Sequence, residues 1–146
     1  MPTSKRPEKL VVDANPILSA LLGGQAKRVF FEGGIGEFSI PGKVIEEVRR
    51  YVPRLAAKLG VGQEFLFYAL DLLPLTLYPS KTYRATLPQA KRQLARRDPD
   101  DADVLALGLA LRRVVWTNDR DFESTTIQRV TTAELLTLCF PKESRR

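Results

Sequence analysis

The chain has 146 residues, a length that suits one domain able to bury a sizeable apolar core. Hydrophobic residues make up 44% of the sequence and charged residues 27%, which argues against disorder, a collagen-like fibre or a membrane span. The segment 1–9 is polar and basic, so we expect no secretory signal. Cys139 is the only cysteine, which excludes an internal disulfide and a cysteine metal cluster and predicts a reducing, cytoplasmic location.

Histidine is absent from the sequence. Catalytic triads that contain histidine, imidazole general bases and histidine-bound zinc are therefore excluded. Any hydrolytic chemistry has to use carboxylates, a hard metal ion, lysine or tyrosine. The 23 basic and 17 acidic side chains leave a formal charge of +6, which favours a phosphate-rich partner such as nucleic acid, although surplus charge can also serve solubility.

Short apolar runs typical of strands alternate along the chain with segments typical of helices. The predicted strands cover residues 9–12, 37–40, 75–78, 114–117 and 128–130. The predicted helices cover residues 17–22, 26–31, 42–51, 53–59, 63–73, 86–97, 101–112 and 132–140, with Pro53 either kinking the third helix or starting a new one. Asn15 and Thr132 are the predicted N-caps of the first and last helices.

This alternation predicts a single α/β domain over residues 1–146, with a polar arm at residues 1–8 and a polar tail at residues 141–146. We expect a parallel sheet of four to five strands with helices on both faces. The stretch 104–111 is apolar on all sides, which predicts a helix packed deep in the domain. In such sheets ligands bind beyond the carboxyl ends of the strands.

Acidic residues follow two of the predicted strands. Asp13 stands at the carboxyl end of the first strand, and Asp119 and Asp121 come directly after the fourth. Other acids begin the apolar helix before the fourth strand or lie on the helix after the second strand: Asp98, Asp100, Asp101, Asp103, Glu46 and Glu47. If the first and fourth strands are neighbours, these acids meet at one edge of the sheet.

Carboxylates held close together repel one another, so such a group persists when a cation lies among them. Oxygen ligands without nitrogen or sulfur suit Mg²⁺ or Mn²⁺. An ion of this kind activates water and orients a phosphate, which is the basis of metal-assisted phosphodiester cleavage.

Each acid also has a simpler interpretation. Asp13 could cap the following helix. The acids at residues 98–101 could complement the dipole of the helix that they begin, and Asp119 and Asp121 could be turn residues. We expect at least one of Glu46 and Glu47 to be solvated. Acids after two separate strands, with a third group leading into one of them, are less easily explained in this way.

The ordered set of motifs resembles the PIN-domain nucleases over about residues 9–135. The matching segments are Val11-Val12-Asp13-Ala14-Asn15, Ile45-Glu46-Glu47-Val48, Asp101-Ala102-Asp103-Val104-Leu105-Ala106-Leu107 and Trp116-Thr117-Asn118-Asp119-Arg120-Asp121-Phe122. The resemblance implies a three-layer α/β/α sandwich and a metal-dependent ribonuclease. It most often implies the VapC-like toxin of a toxin–antitoxin pair, with an RNA substrate, an antitoxin partner and a homodimer.

The resemblance also implies roles for particular residues. The catalytic acids would be Asp13, Glu47, Asp101 and Asp119, and the metal ligands would be Asp13, Asp101, Asp119 and Asp121. Glu47 is preferred over Glu46 because it precedes an aliphatic residue, as the family's glutamate usually does. Asn15 and Thr117 match polar positions that support the site.

Two features depart from the family pattern. Ala14 stands where the family commonly has Thr or Ser, which removes a hydroxyl near the first acid. Asp103 is an extra acid, and at roughly 100° per residue it lies about 200° around the helix from Asp101, so the two cannot face one ion in the same way. Asp100 and Asp103 therefore remain alternatives to Asp101, and Glu46 remains an alternative to Glu47.

The segment 72–97 contains no acid and leads directly into the acidic group. Cations beside a metal site would hold the nucleic-acid backbone, although a solvated basic helix explains them equally well. The candidate phosphate contacts are Lys81, Arg84, Lys91, Arg92, Arg96, Arg97 and, outside this segment, Arg120. Tyr83 could stack on an unpaired base.

Trp116 and the apolar helix from Phe65 are predicted to be core, with a dimer face or antitoxin groove as the alternative for the helix.

Three functions are compatible with these observations. The preferred one is a metal-dependent endoribonuclease that leaves a 5′-phosphate and a 3′-hydroxyl because water is the nucleophile. A module of the same fold that binds RNA without cleaving it is the second. A phosphatase with Asp13 as nucleophile is the third, but its second acid would have to stand at position 15, which is Asn.

Overall fold

The computed structural model describes residues 5–94 and 99–144. Its sheet has five parallel strands in the order β3-β2-β1-β4-β5. The strands are β1 (Lys9–Val12), β2 (Glu37–Pro41), β3 (Leu75–Tyr78), β4 (Val115–Trp116) and β5 (Arg129–Val130). The first and fourth strands are therefore neighbours, which is the condition that brings the acids after them to one edge.

The helices in these ranges are α1 (Ala14–Leu21), α2 (Ala26–Glu32), α3 (Gly42–Leu59), α4 (Gln63–Leu72), α5 (Leu87–Leu94), α6 (Pro99–Leu111), α7 (Thr132–Cys139) and α8 (Pro141–Ser144). Helices α1 to α6 lie between successive strands, and α7 and α8 follow β5. Two short 3-10 helices, Ser80–Thr82 and Arg120–Ser124, follow β3 and β4. Among the described residues, no helix combines the length and apolar character needed to cross a membrane.

The helices form a layer on each face of the sheet. The chain runs from β1 to β3 in one direction and then back to β4, and with the right-handed crossovers usual for parallel strands the helices of the two halves lie on opposite faces. The helices α1 to α4 contact one another and α7 contacts α2, whereas α5 packs on α6. The predicted three-layer α/β/α sandwich with a parallel sheet is confirmed.

An aromatic cluster fills one interface between the sheet and its helices. The ring of Phe30 on α2 lies 4.7 Å from that of Phe38 and 4.9 Å from that of Trp116, between ring centroids. All three side chains are buried, and the indole N–H of Trp116 donates to Thr132 Oγ1 at 3.0 Å. Trp116 is therefore a core residue, as predicted.

Helix α6 packs closely on the other face, where its apolar sequence places it. Val104, Leu105 and Leu107 are at most 1% exposed. A Cβ atom at Gly108 would lie 2.8 Å from Val115 Cγ2, so a larger side chain there would push the helix off β4. This close approach fixes the position of the acids at the start of α6 relative to the end of β4.

Two predicted N-caps are one or two residues away from the observed ones. The first helix begins at Ala14 because Asp13 Oδ1 accepts its backbone N–H at 2.8 Å, so Asp13 and not Asn15 is the N-cap. The last long helix is capped by Thr131 and not Thr132, since Thr131 and Glu134 form a reciprocal capping box.

Other boundaries also differ. Helix α3 runs through Pro53 without a break, because its apolar face packs on both sides of that residue. The expected polar tail begins with a short helix, α8. Helix α5 ends at Leu94 in the described part of the chain, and the predicted residues 95–97 of that helix lie outside it.

A partly buried polar network connects neighbouring strands of the sheet. Glu37 Oε2 accepts hydrogen bonds from Tyr78 at 2.7 Å, from Ser39 at 2.8 Å and from Arg113. The hydrogen bond from Tyr78, with those from Ser39 and Arg113, lowers the pKa of Glu37 from 4.5 to about 2, against the opposing effect of burial. The charged carboxylate therefore ties β2, β3 and the loop before β4 together.

Replacing Glu37 by Gln should destabilise the protein at pH 7 by about 1 to 2 kcal/mol, after allowing for solvent screening of this partly exposed group. Because the folded pKa is depressed, the stabilisation is complete above pH 4.5 and is lost as pH falls toward 2. Urea unfolding between pH 7 and pH 3 measures it, with Glu64→Gln on α4 as an exposed control. If the difference in unfolding free energy between the wild-type protein and Glu37→Gln does not narrow at low pH, the depressed pKa of Glu37 would be contradicted.

Candidate active site

The candidate site lies at the carboxyl ends of β1 and β4. The connection from β1 moves toward β2, and the connection from β4 moves toward β5, so the strand order reverses between these two neighbours. Helices on opposite faces diverge at such a point and leave a crevice there. Asp13 ends β1, and Thr117 and Asp119 follow β4, which places all three residues at this crevice.

Asp13 is only 5% exposed, and its carboxylate is held from three directions. Oδ1 accepts the backbone N–H of Ala14 at 2.8 Å. Oδ2 accepts the hydroxyl of Thr117 at 2.7 Å and the amide of Asn15 at 3.3 Å. Capping the helix and facing the crevice are thus compatible roles, and the two supporting residues expected from the sequence both contact Asp13.

Thr117 connects Asp13 to the next acid. Its fully buried hydroxyl donates to Asp13 Oδ2 and accepts the backbone N–H of Asp119 at 3.0 Å. A hydroxyl has one donor and two acceptor positions, so this one side chain links the end of β1 to the loop after β4.

Asp101, Asp119 and Asp121 form a cluster of carboxylates, with one oxygen from each lying within 4.8 Å of the other two. Asp119 Oδ1 also accepts the backbone N–H of Asp121 at 2.9 Å. Oxygen donors at this spacing, without nitrogen or sulfur, fit Mg²⁺ or Mn²⁺, and a divalent ion would offset the repulsion among three like charges. The predicted ligands Asp101, Asp119 and Asp121 are therefore brought together.

Asp13, the fourth predicted metal ligand, is not part of that compact group. It joins the cluster through Thr117, whose hydroxyl contacts both the Asp13 carboxylate and the backbone of Asp119. Of the acids expected to meet at one edge, the structure places three carboxylates within 4.8 Å of one another, and Asp13 lies one hydrogen-bonded residue away from them.

Asp103 belongs to a separate polar group. It is 6% exposed, accepts the hydroxyl of Tyr83 at 2.5 Å and lies 3.8 Å from Lys43 Nζ on α3. Asp101 and Asp103 therefore face different surroundings, in agreement with their angular separation on the helix. Glu47 is half-buried one turn after Lys43 and interacts electrostatically with Tyr83, whereas Glu46 is exposed.

The predicted stacking role of Tyr83 is wrong. Its side chain is 1% exposed, so no base can reach its ring. Burial, together with the hydrogen bond to Asp103, raises the pKa of Tyr83 above its ordinary value of 10.0. Tyr83 is a core residue that satisfies the buried carboxylate of Asp103.

The basic residues proposed to contact phosphate are exposed where the structure describes them. Exposed positions are Lys81, Arg84, Lys91, Arg92 and Arg120. Arg96 and Arg97 lie outside the described residues, as does Asp98, and the side chain of Asp100 is not described. Helix α5 contacts the Arg120–Ser124 helix, and Gln93 Nε2 donates to Thr126 Oγ1 at 2.9 Å. This contact places α5 beside the loop that carries Asp119 and Asp121.

Two cations near the acids were not predicted from the sequence. Lys43 lies beside Asp103, and Arg129 Nη1 donates to the backbone oxygen of Asp119 at 3.3 Å. No motif marks either residue, because each reaches the acids from a different strand or helix. The pairing of β4 with β5 was the signal that could have placed Arg129 near Asp119.

Apolar residues of α4 divide between core and surface. Leu66 and Leu70 are buried, as predicted, but Phe65 and Tyr68 are 64% and 66% exposed. They border an apolar groove of about 540 Å³ between α4, the end of α1 and α2, where Phe31 and Leu72 are also exposed.

Comparison with known proteins identifies similar sequences and structures. A family model described as PIN domain matches residues 11–138. The fold is similar to a chain of the crystal structure of VapBC2 from Rickettsia felis bound to a DNA fragment from their promoter, with a TM-score of 0.64 and 13% identity. The match covers 84% of this chain and 98% of that chain. No curated protein matches the sequence.

Replacing Thr117 by Val should lower the free energy of unfolding by about 1 to 3 kcal/mol, because Asp13 loses a buried donor and the Asp119 N–H loses its acceptor. Thr117→Ser keeps the hydroxyl and should cost less. Denaturant midpoints of the two variants measure the difference. Equal stability of the Val and Ser variants would show that the hydroxyl does not link the two acids.

Proposed function

Because this chain belongs to the PIN domain family, we propose that it is a metal-dependent endoribonuclease, with Mg²⁺ or Mn²⁺ as its ion. The observation that carries the proposal is the convergence of Asp101, Asp119 and Asp121 within 4.8 Å at the carboxyl ends of the strands. Asp101 lies on α6, whereas Asp119 and Asp121 lie in the loop after β4, so neither a turn nor a helix N-terminus accounts for all three together.

The chain's own groups would divide the work of phosphodiester hydrolysis. Asp101, Asp119 and Asp121 would hold the ion, which when bound supplies an activated water and neutralises charge on the phosphate. Asp13 is oriented at the crevice by donors from Ala14, Asn15 and Thr117. Glu47 remains the second predicted catalytic acid and would act from the α3 side of the crevice.

The exposed cations on and before α5 would hold the RNA backbone beside the acids. Lys91 and Arg92 lie on the helix that packs against the Arg120–Ser124 segment, and Lys81 and Arg84 precede that helix. Phosphate contacts of this kind position a strand without reading its sequence. Water as the nucleophile leaves a 5′-phosphate and a 3′-hydroxyl, which distinguishes this reaction from attack by the ribose 2′-hydroxyl.

We further propose that the protein is the toxin of a toxin–antitoxin pair and acts in the cytoplasm. Support comes from the similarity in fold to a chain of the VapBC2 structure. The groove bordered by Phe65 and Tyr68 supports a protein partner, because exposed apolar surfaces of this kind mark protein contacts. Lys27 lines the groove and the chain carries a charge of +6, so an acidic antitoxin segment fits it better than a second copy.

Replacing Asp101 by Asn should reduce Mn²⁺-dependent RNA cleavage by at least about 100-fold and weaken Mn²⁺ binding, because a ligand charge is lost. Asp103→Asn is the matched control, since it removes a charge two residues away that belongs to the Tyr83 and Lys43 group. Cleavage rates and titration of Mn²⁺ by calorimetry measure both effects. If Asp103→Asn abolishes Mn²⁺ binding and Asp101→Asn does not, Asp103 and not Asp101 is the metal ligand on α6.

The alternative of an RNA-binding module retains one supporting observation, the absence of a hydroxyl at Ala14. The same assay separates it from a nuclease. RNA binding that is unaffected by EDTA, together with no cleavage by the wild-type protein under added Mn²⁺, would favour the binding module.

We expect the protein to be a homodimer, with the antitoxin rather than a second copy covering the α4 surface. Phe65→Asp should therefore leave the sedimentation mass at twice the 16.4 kDa of the chain. Sedimentation equilibrium measures this mass, with Glu64→Asp as the control. A variant that becomes monomeric would show that the groove is the dimer contact.

A further inference from the structure

A second cavity adjoins the acidic cluster on the side of β5. Its volume is about 480 Å³, within the range of small-ligand sites. The residues of its lining that matter here are Phe122, Glu123, Thr126, Gln128, Arg129 and Glu134. Arg129 of this lining donates to the backbone oxygen of Asp119, which places the cavity next to the loop that carries two of the clustered acids.

Two contacts attach this pocket to the proposed nuclease machinery. Arg129 donates through Nη1 to the backbone oxygen of Asp119 at 3.3 Å and through Nη2 to Glu123 Oε1 at 2.9 Å. On the other side, the Gln93 amide of α5 pairs with Thr126, at 2.8 Å to the backbone N–H and 2.9 Å to the hydroxyl. The pocket therefore lies between the metal-binding loop and the helix that carries Lys91 and Arg92.

The charge of the pocket indicates what it can bind. Glu123 and Glu134 supply two carboxylates, of which Glu134 already accepts the backbone N–H of Thr131. Arg129, the one cation among the lining residues, donates to Glu123 and Asp119. A phosphate would be repelled by the carboxylates, whereas a neutral group that presents N–H donors would be attracted. The Glu123 side chain is 57% exposed, so it is accessible to a ligand from solvent.

Among the four bases, guanine matches these features best. Its Watson–Crick edge presents adjacent N1–H and N2–H donors, which a carboxylate can accept with its two oxygens. An unpaired base in RNA exposes this edge, and a guanidinium plane offers a face for stacking. The Arg129 side chain, held by two partners and 19% exposed, provides such a plane at the pocket wall.

We propose that this pocket binds an unpaired guanine next to the cleaved bond and so sets the sequence preference of the enzyme. The proposal rests on the endoribonuclease function for its biological meaning, but the pocket can be tested without catalysis. In this arrangement the cations near α5 hold the phosphates of the strand, and Glu123 is a specificity-determining residue that reads one base.

Binding in EDTA provides the first test. Eight-nucleotide single-stranded RNAs would contain adenine throughout or a single central guanine, cytosine or uracil, and fluorescence anisotropy would give their affinities. We expect the guanine oligonucleotide to bind about tenfold more tightly than the all-adenine one. Glu123→Gln should remove most of this preference, whereas Glu64→Gln, an exposed acid on α4, should leave it unchanged.

Variants of the proposed phosphate contacts separate base recognition from general affinity for RNA. Lys91→Ala with Arg92→Ala should weaken all four oligonucleotides by the same factor and keep the preference, because these residues would contact phosphate. Equal affinity of the wild-type protein for all four RNAs would overturn the proposal, and so would a preference for cytosine or uracil. A Glu123→Gln variant that loses affinity for every RNA equally would show that Glu123 only fastens the loop through Arg129.

Cleavage under Mn²⁺ gives the second test. The wild-type protein should cut beside the single guanine, and Glu123→Gln should cut the four RNAs with similar kcat/KM. A guanine preference in EDTA without cleavage under Mn²⁺ would support the pocket and contradict the endoribonuclease proposal. Cleavage by the wild-type protein at all sequences alike would support the nuclease and contradict the pocket.

Discussion

Electrostatic repulsion among three carboxylates is the cost that the fold has to offset at the candidate site. Asp101, Asp119 and Asp121 come from a helix and a loop that meet only after folding, and their oxygens lie within 4.8 Å of one another. Holding like charges at this spacing raises the free energy of the site unless a cation or hydrogen-bond donors offset it. The backbone N–H of Asp121 and the close packing of α6 on β4 keep the acids together despite that cost.

The sheet topology explains why these groups meet at this point. The reversal of strand order between β1 and β4 opens a crevice at their carboxyl ends, and the two strands deliver Asp13 and Asp119 to its opposite sides. Thr117 spans the gap with a single hydroxyl, so the orientation of one acid depends on the backbone of the other. Helix α5 and Arg129 of β5 both contact the loop that carries Asp119 and Asp121.

Asp101 and Asp103 belong to two different groups of side chains, although both lie at the start of α6. Asp101 faces the loop after β4, whereas Asp103 faces α3 and is neutralised by Tyr83 and Lys43. Helical geometry required this separation, and it shows how one turn can hold two acids with different roles. A buried carboxylate with its own donor and cation contributes to structure, while three carboxylates with oxygens this close together are suited to a metal.

Periodicity, turn residues and residue order were sufficient to predict the parallel sheet, the three layers and the position of most acids. These features follow from local backbone preferences and from the handedness of crossovers, which act over short stretches of chain. The continuous helix through Pro53 and the burial of Tyr83 were not predictable in this way, because each depends on packing against distant elements. The same holds for Arg129 beside Asp119 and for the pocket behind it, since distances between residues on different strands and helices exist only once packing has brought them together.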